Sequence, residues 1–463
     1  MVPLSAALTL AIGLGLTTCL VPPDKWPGGR LLRLTFGIPI GIGVCSVTYF
    51  FALITGFPHL VIELALLAAA LLLWGLRAAN AVSAAPGSRG PILVRPQAHE
   101  RTFRLAFFSL AAADAVIFAM WSARWPRGGW DGWAIWNQRA RFLNEAGNSW
   151  RDAFSPALSW SHTDYPLLVP AFLARAWSDL GNETTLIPIF VSGLFAVAVV
   201  ALLVLALIGL QAQAHAFAAG VLLLATPSLV QVAASQYVDV TFSYFVLATL
   251  VLRCFSDGLP SPGRWLALSG VTAGLAAWTK NEGLLLVAAV AVALAVTSDR
   301  RVLVRRMGAF LGGAGPFLLT ILYFKQSVVV SGGFLAQHIT PTVTENLLDV
   351  HRYVLVTEAL AVRLWRFGSP LVSPVVFLLG YLLCSGVKMP RGQSRIVIAT
   401  GLTLLLMAAG DFAIFIVTSD GLEWLLATAL DRLCLQLWPS TIFALMFCAR
   451  AVGRDEPVAD LRP

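Results

Sequence analysis

Apolar runs follow one another along almost the whole sequence, and they restrict its fold more than any other feature. A helix of about 20 apolar residues crosses the hydrocarbon core of a bilayer. Of the 463 residues, 58% are hydrophobic and only 12% are charged, whereas about a quarter of an ordinary soluble chain is charged. We therefore expect an all-α, polytopic membrane protein and exclude a soluble domain. About thirteen transmembrane helices are predicted, over residues 3–21, 34–55, 59–76, 105–121, 184–209, 215–233, 239–254, 265–279, 283–297, 307–325, 370–385, 395–417 and 433–449.

The formal net charge of +8 does not indicate a nucleic-acid partner. Lys and Arg concentrate in segments that we assign to the cytoplasm, where they set membrane orientation. The six cysteines lie in apolar runs without the spacing of metal ligands or of a disulfide framework, so we interpret them as small core residues. The first run has no basic residue before it and no small-residue cleavage site, which predicts a retained span rather than a signal peptide.

The positions of the basic residues predict the face that each loop occupies. If the amino terminus is outside, the inner segments hold most of the Lys and Arg, including the cluster at 300–306, and the short outer turns hold only Lys280 and Arg432. Two long outer loops then cover residues 122–183 and 326–369. Polar residues from four separate stretches fall on this outer face, namely Asp131, His162, Asp164, Asp239, Lys280, Glu282, Asp431 and Arg432.

This plan divides the chain into three regions. Residues 1–104 are predicted to be an N-terminal membrane appendage that ends in a cytoplasmic linker, because the stretch 83–100 is rich in Pro, Gly and Ser. Residues 105–306 form a central transmembrane core that carries the first long outer loop. Residues 307–463 form a C-terminal transmembrane segment that carries the second.

The first long outer loop holds Asp131 within a Trp-rich stretch. Trp133, Trp136, Ala140 and Leu143 recur at the spacing of one helical face, so we predict interfacial helices along the membrane surface. Two interpretations of Asp131 follow. It caps this helix, or its carboxylate lies just above the bilayer and accepts a proton from an acceptor hydroxyl.

Three further residues of the outer face also have two interpretations each. His162 and Asp164, in HTDYP, either cap the short helix that starts near Pro166, or they bind a divalent cation such as Mg or Mn or orient an acceptor or phosphate. Asp239, in SQYVDV, is either a helix-start residue favoured by the helix dipole or a functional acid at the mouth of a span. A metal site here would draw on Asp239, His162 and Asp164.

Lys280 and Glu282 interrupt two apolar helices in GLAAWTKNEGLL, with no polar run around them. Lys280 has three interpretations: it extends to the interface, it pairs with Glu282, or it meets a lipid-linked phosphate, whose developing charge a fixed cation stabilises. Arg432, in ALDRLCLQLWP, offers a second cation with better geometry for phosphate. Alternatively, Arg432 anchors the outer end of the last helix.

Together these stretches resemble the type C glycosyltransferases, polytopic enzymes that use polyprenyl-phosphate sugars and include protein O-mannosyltransferases and aminoarabinose transferases. The resemblance covers roughly residues 105–300 and, more loosely, the last helix. It rests on WDGWAIWNQRARFL, QYVDV and GLAAWTKNEG, taken in their order along the spans. The sequence is also similar to a bacterial subset of that group with DYPLL and DRLxxQLWP stretches. Members of the family have an essential acid in the first large outer loop. Asp131, in the first long outer loop of this sequence, would be its counterpart.

Two departures from the family pattern affect what the resemblance implies. The family begins with one span before the catalytic loop, whereas three more precede it here. Asp131 is followed by Gly, not by the second acid of the mannosyltransferases, which puts a paired-acid site in doubt.

The resemblance implies a multi-pass glycosyltransferase of the bacterial inner membrane with its active site on the periplasmic face. Its catalytic core would be residues 105–306, and Asp131 would be the base in an inverting transfer. Lys280 and Arg432 would bind the donor phosphate, and Asp239, His162, Asp164 and Glu282 would orient the acceptor or a cation. The partners would be the polyprenyl-phosphate donor, the bilayer, and a glycolipid, glycan or protein acceptor. The alternatives are a transporter or flippase of a lipid-linked saccharide and a non-enzymatic assembly subunit.

Overall fold

The computed structural model describes residues 2–79, 98–145, 147–210, 213–329, 341–367, 373–387, 394–418 and 421–449. Most of these residues are helical, and the described part of the chain has no strand, only one isolated bridge between Val387 and Ala449. Most of the predicted linker 83–100, parts of the loop 326–369 and the tail from residue 450 lie outside the described residues. The α-helices are α1 Val2–Leu20, α2 Gly29–Thr55, α3 His59–Ala79, α4 Ala98–Arg124, α5 Gln138–Glu145, α6 Leu168–Leu180, α7 Leu186–Gly209, α8 Gln213–Leu224, α9 Pro227–Ala234, α10 Asp239–Gly258, α11 Pro262–Thr279, α12 Glu282–Thr297, α13 Arg300–Ser327, α14 Pro341–Leu348, α15 Val350–Arg366, α16 Pro374–Ser385, α17 Ser394–Val417 and α18 Leu422–Cys448.

Within the described ranges, seven helices are long and apolar enough to cross a membrane: α2, α3, α4, α7, α10, α13 and α17. The pair α8 and α9 would make an eighth span if it is counted as one passage. Three more predicted spans coincide with shorter apolar helices, in α1, α12 and α16. The chain is therefore a helical multi-pass membrane protein, as predicted, but the count of thirteen spans is not confirmed.

The predicted span 215–233 is not a continuous helix. Its two halves, α8 and α9, meet at a bend of 58°. Pro227 is the first residue of α9, and a proline has no backbone N–H to continue a helical hydrogen-bond ladder. The side chain of Thr226 at the bend donates to the Leu222 carbonyl oxygen and accepts from the indole of Trp438. The break therefore joins this part of the chain to α18.

Helix α10 lies at the centre of the helical assembly. All of its membrane-length window is buried, and it packs against α7, α11 and α18. Asp239, which begins α10, therefore points into protein rather than into solvent or lipid, with 2% of its surface exposed.

Two glycines let α11 and α13 approach closely. A Cβ added at Gly270 would collide with the backbone oxygen of Phe310, and one at Gly313 would collide with that of Ala267. Small residues allow such backbone contact between membrane helices. The crossing fixes the end of α11, next to Lys280, relative to the end of α13, which carries Lys325.

The described helices of the segment 1–104 pack directly against the rest of the chain. Ser46 on α2 accepts a hydrogen bond from the indole of Trp278 at 3.0 Å and donates to the Leu167 carbonyl oxygen. Glu63 on α3 forms a buried ion pair with Arg175 on α6, at 2.5 Å from Nε. Helix α2 thus contributes to the common core, while the domain boundary at residue 104 stays a prediction.

Candidate functional site

The first long outer loop is held against the turn between α9 and α10. Gly129 donates its backbone N–H to the Ser235 carbonyl oxygen at 2.9 Å. A Cβ at Gly132 would collide with the same oxygen, and Gly128 adopts a left-handed φ of 78°. Only glycine tolerates both demands without strain. This close approach places Asp131, between Gly129 and Gly132, beside the start of α10.

Asp131 precedes a short π-helical turn, Gly132–Asn137, which leads into α5. The interpretation of Asp131 as a helix cap is wrong, because its side chain makes no capping hydrogen bond. The predicted apolar face of the helix is buried at Trp136, Ala140 and Leu143, while Trp133 is 41% exposed. The buried part of this face therefore packs against protein.

The carboxylate of Asp131 binds the guanidinium of Arg432 on α18. Nη1 of Arg432 also lies 3.8 Å from Oδ2 of Asp239. The guanidinium lies over the ring of Tyr237, with Cζ 5.1 Å from the ring centre, which is an attractive cation–π geometry. Arg432 thus connects the acid of the outer loop with the acid that begins α10.

Asp239 in turn binds Lys280. Its Oδ1 accepts from Nζ of Lys280 at 3.1 Å and from Nε2 of Gln436 at 2.6 Å. Nζ of Lys280 also lies 2.9 Å from Oε1 of Glu282, so the predicted pairing of these two residues is confirmed. We call the alternating series Asp131, Arg432, Asp239, Lys280 and Glu282 the ion chain.

Lys280 is 7% exposed, and burial alone would lower the pKa of its ammonium group. The neighbouring carboxylates of Asp239 and Glu282 outweigh burial and hold the pKa of Lys280 above its usual range. The ammonium group also lies 5.9 Å from the ring centre of Tyr165. Lys280 therefore keeps its positive charge at physiological pH.

Asp164 lies next to the ion chain but is not part of it. Its Oδ2 accepts from Nδ2 of Asn281 at 2.7 Å. Nζ of Lys325 donates to the backbone oxygen of Asp164 at 2.5 Å and to Oδ1 of Asn281 at 2.7 Å. Asp164 therefore ties the outer loop to the turn that carries Lys280. No side chain caps α6 at its N-cap, Leu167, so the capping interpretation of His162 and Asp164 is wrong.

His162 lies at the edge of this cluster. It is exposed, has a left-handed φ of 53°, and stacks on Tyr165 with 5.0 Å between ring centres. The buried guanidinium of Arg139 donates to the backbone oxygen of His162 at 2.9 Å. Burial lowers the pKa of Arg139 to about 10. Arg139 thus fixes the backbone of HTDYP from inside the loop.

The donor groups of the site do not fit a metal ion. Among the described residues, no three of His, Cys, Asp and Glu are grouped so that they could hold one. Asp239 is bound by Lys280 and Gln436, and Asp164 by Asn281 and Lys325. His162, Asp164 and Asp239 are therefore not brought together as the predicted ligand set.

Several residues that complete the site were not predicted from the sequence. Gln436 lies four residues after Arg432, so both fall on one face of α18. Asn281 stands between the two predicted residues Lys280 and Glu282. These spacings were visible in the sequence. The contact of Lys325 with Asp164 spans 161 residues, and no sequence signal points to it.

The site carries a family resemblance that a comparison with known proteins supports in part. A family model described as dolichyl-phosphate-mannose-protein mannosyltransferase matches residues 164–324, about a third of the chain. The match includes Asp164, Asp239, Lys280 and Glu282, and Asp131 and Arg432 lie outside it. It supports the resemblance to type C glycosyltransferases and glycosyltransferase activity in general. No curated protein and no solved structure matches the chain.

Proposed function

We propose that this protein transfers a sugar from a polyprenyl-phosphate donor to an acceptor hydroxyl, with inversion, at the periplasmic face of a bacterial inner membrane. The ion chain is the observation that carries the proposal. It gathers two cations and three carboxylates from the outer loop, the start of α10, the turn before α12 and α18. Such a set can stabilise a phosphate leaving group and accept a proton in one place.

Lys280 and Arg432 would bind the donor phosphate. Both cations are already neutralised by carboxylates in the ion chain, so a phosphate must replace one of these contacts. Arg432 is the better point of exchange, because its side chain and that of Asp131 are 22% and 21% exposed, whereas those of Lys280 and Asp239 are 9% and 3% exposed. The planar guanidinium also matches phosphate oxygens in a fork geometry. Donor binding to Arg432 would thus release the Asp131 carboxylate.

The released Asp131 would act as general base. The acceptor oxygen attacks the anomeric carbon as its proton passes to Asp131. The bond between that carbon and the phosphate oxygen breaks, and its electron pair leaves with the polyprenyl phosphate. Attack opposite the leaving oxygen inverts the anomeric centre. Asp239 would keep Lys280 and Arg432 together as charge develops on the phosphate.

Residues beside the ion chain would hold the acceptor. His162 is exposed, and Asp164 reaches the Lys280 turn through Asn281. Glu282 fixes the other side of Lys280. Because the donor set does not fit a metal ion, we assign no step to a divalent cation. The acceptor would be a glycolipid, a glycan or a protein that offers a hydroxyl group.

The position of basic residues along α13 supports the proposed sidedness. The helix has 28 residues and is therefore about 42 Å long. Arg300, Arg301, Arg305 and Arg306 lie in its first two turns, and Lys325, at the other end, contacts Asp164. Basic clusters mark the cytoplasmic ends of spans. The site thus lies at the end opposite the basic cluster.

A cell-based and an in vitro experiment together test this function. Mass spectrometry of glycolipids, glycans and glycoproteins, with and without the protein, should reveal one missing hexose or pentose unit. Purified protein in liposomes should then release polyprenyl phosphate from the matching donor, and the Asp131→Asn variant should not. A transporter or flippase would move the donor between leaflets without breaking the sugar–phosphate bond, and that result would refute the proposal.

A further inference from the structure

One side chain of the ion chain and one side chain that contacts it each have a buried oxygen atom without a hydrogen-bond partner among the described residues. The two atoms are Oε1 of Gln436 and Oε2 of Glu282. Gln436 is 1% exposed, and the side chain of Glu282 is 10% exposed. A buried acceptor without a partner is destabilising, so each such atom in a native protein requires an explanation.

The other end of each side chain is firmly held. Nε2 of Gln436 donates to Oδ1 of Asp239 at 2.6 Å, and Oε1 of Glu282 lies 2.9 Å from Nζ of Lys280. The amide of Gln436 cannot be turned over, because its oxygen would then face the carboxylate of Asp239. Its Oε1 must therefore point away from Asp239. Each side chain therefore has one free acceptor oxygen, and the contact at its other end fixes where that oxygen lies.

The two acceptors belong to one small region. Gln436 contacts Asp239, and Glu282 contacts Lys280. Asp239 and Lys280 contact each other, with 3.1 Å between Oδ1 and Nζ. Gln436 lies one helical turn further along α18 than Arg432. In the proposed function the phosphate binds Arg432 and Lys280, so the group that the phosphate carries would lie within reach of these oxygens.

The charge of the region selects the ligand chemistry. Unpartnered acceptors call for donors, which are a cation or a neutral N–H or O–H group. The carboxylates of Asp239 and Glu282 already share the ammonium group of Lys280, which lies 2.9 Å from Glu282 and repels a second cation at that distance. Neutral hydroxyl groups meet no such repulsion. A monosaccharide attached to the phosphate carries several of them.

We propose that Gln436 and Glu282 bind hydroxyl groups of the sugar being transferred, and that Gln436 is a specificity-determining residue for the donor. The inference rests on the proposed function, since it takes the ion chain as the phosphate site. Oε1 of Gln436 accepts from one hydroxyl and Oε2 of Glu282 from another. A donor with hydrogen in place of the matching hydroxyl would then leave Gln436 Oε1 buried and unpaired.

A cycle of enzyme and donor variants tests the proposal. The probes are short-chain polyprenyl-phosphate hexoses and pentoses, and the single-deoxy forms of the sugar that the unaltered protein transfers best. We expect one deoxy position to lower kcat/KM about 10- to 100-fold in the unaltered protein. In Gln436→Met, kcat/KM for the normal donor should fall to a similar level. The same deoxy substitution should then lower kcat/KM of this variant by less than about threefold. A residue that only supports Asp239 would instead leave the deoxy penalty unchanged.

The control is Ser440→Ala, on the same helix one turn further on. Ser440 is fully buried, and its hydroxyl likewise finds no partner among the described residues, but it makes no contact with the ion chain. It should keep the full deoxy penalty. Thermal unfolding of each variant in detergent separates misfolding from lost recognition. If Gln436→Met does not fold, Gln436→Leu replaces it in the same cycle.

Two outcomes overturn the inference and are distinguishable. If the unaltered protein transfers sugar and every deoxy penalty persists in the Gln436 variant, the sugar site is wrong and the proposed function stands. If the unaltered protein transfers sugar from none of the donors, the proposed function fails and the inference fails with it.

Discussion

The guanidinium of Arg432 binds the carboxylate of Asp131, although 301 residues separate them in the sequence. The proposed base and a proposed phosphate ligand thus neutralise each other in the structure. A donor that binds Arg432 competes directly with Asp131. Asp131 would then become available as a base only after a donor has bound Arg432. An acceptor would therefore attack only donor molecules whose phosphate is bound at the site.

Replacement of Asp131 by Asn should lower sugar transfer about 100- to 10,000-fold, because the general base is lost. The measurement is the initial rate of polyprenyl phosphate release in liposomes. Asp152→Asn is the control, since Asp152 is an exposed acid of the same loop and should leave the rate unchanged. Full activity in Asp131→Asn would rule out this residue as the base.

Replacement of Arg432 by Gln should raise the donor KM roughly 10- to 100-fold, because charge-assisted hydrogen bonds to phosphate are lost. The matched control is Arg363→Gln. Arg363 pairs at 3.0 Å with Asp431, next in sequence to Arg432, and its side chain is 40% exposed. An exposed pair of this kind contributes little to stability. Equal effects of the two substitutions would contradict a specific phosphate contact.

Replacement of Lys280 by Met should destabilise the protein by about 3–5 kcal/mol, because two buried carboxylates lose their shared cation. Thermal unfolding in detergent measures the loss. The double variant Lys280→Met, Glu282→Gln should regain part of the stability, since one carboxylate charge is removed, but should remain inactive. Recovery of transfer in the double variant would show that Lys280 is structural only.

Transfer should persist in the presence of EDTA, because the side chains of Lys280 and Arg432 supply the positive charge at the donor phosphate. The assay is sugar transfer by purified protein after chelation and gel filtration. A loss of activity that Mg²⁺ or Mn²⁺ restores would contradict this assignment and point to a metal bound together with the donor.

Cysteine labelling should place the site outside. In a background without the six native cysteines, Ser159→Cys should react with a membrane-impermeant maleimide on intact spheroplasts. Arg301→Cys should react only after permeabilisation. Both positions are exposed in the structure. The reverse pattern would place the site on the cytoplasmic face and refute the proposed orientation.

The sequence alone was sufficient to predict that distant acids and cations share one end of the helical assembly. Apolar run lengths and the positions of basic residues determine on which side each turn emerges, and these two signals brought Asp131, Asp239, Lys280 and Arg432 to the same face. Run lengths and basic residues do not give the distances between side chains. The order of contacts, with Arg432 between two carboxylates, depends on how α18 packs against α10 and on the rotamers of both, which periodicity does not encode.

Other features were missed for different physical reasons. Pro227 indicates a break between α8 and α9. The residues on both sides of it form one apolar run of span length, which predicts a continuous helix instead. The packing of α2 against the rest of the chain was not predictable, because an apolar helix that faces protein and one that faces lipid look alike in sequence. Gln436 shares a helical face with Arg432, but a polar residue at that spacing in an apolar helix does not by itself indicate a contact with Asp239.

The backbone contact between α11 and α13 at Gly270 and Gly313 also bears on how a lipid tail reaches the site. Two helices whose main chains touch cannot separate without losing all of these packing contacts. A lipid tail therefore cannot pass between α11 and α13. A membrane-embedded donor would then have to reach Arg432 from a side other than this pair of helices.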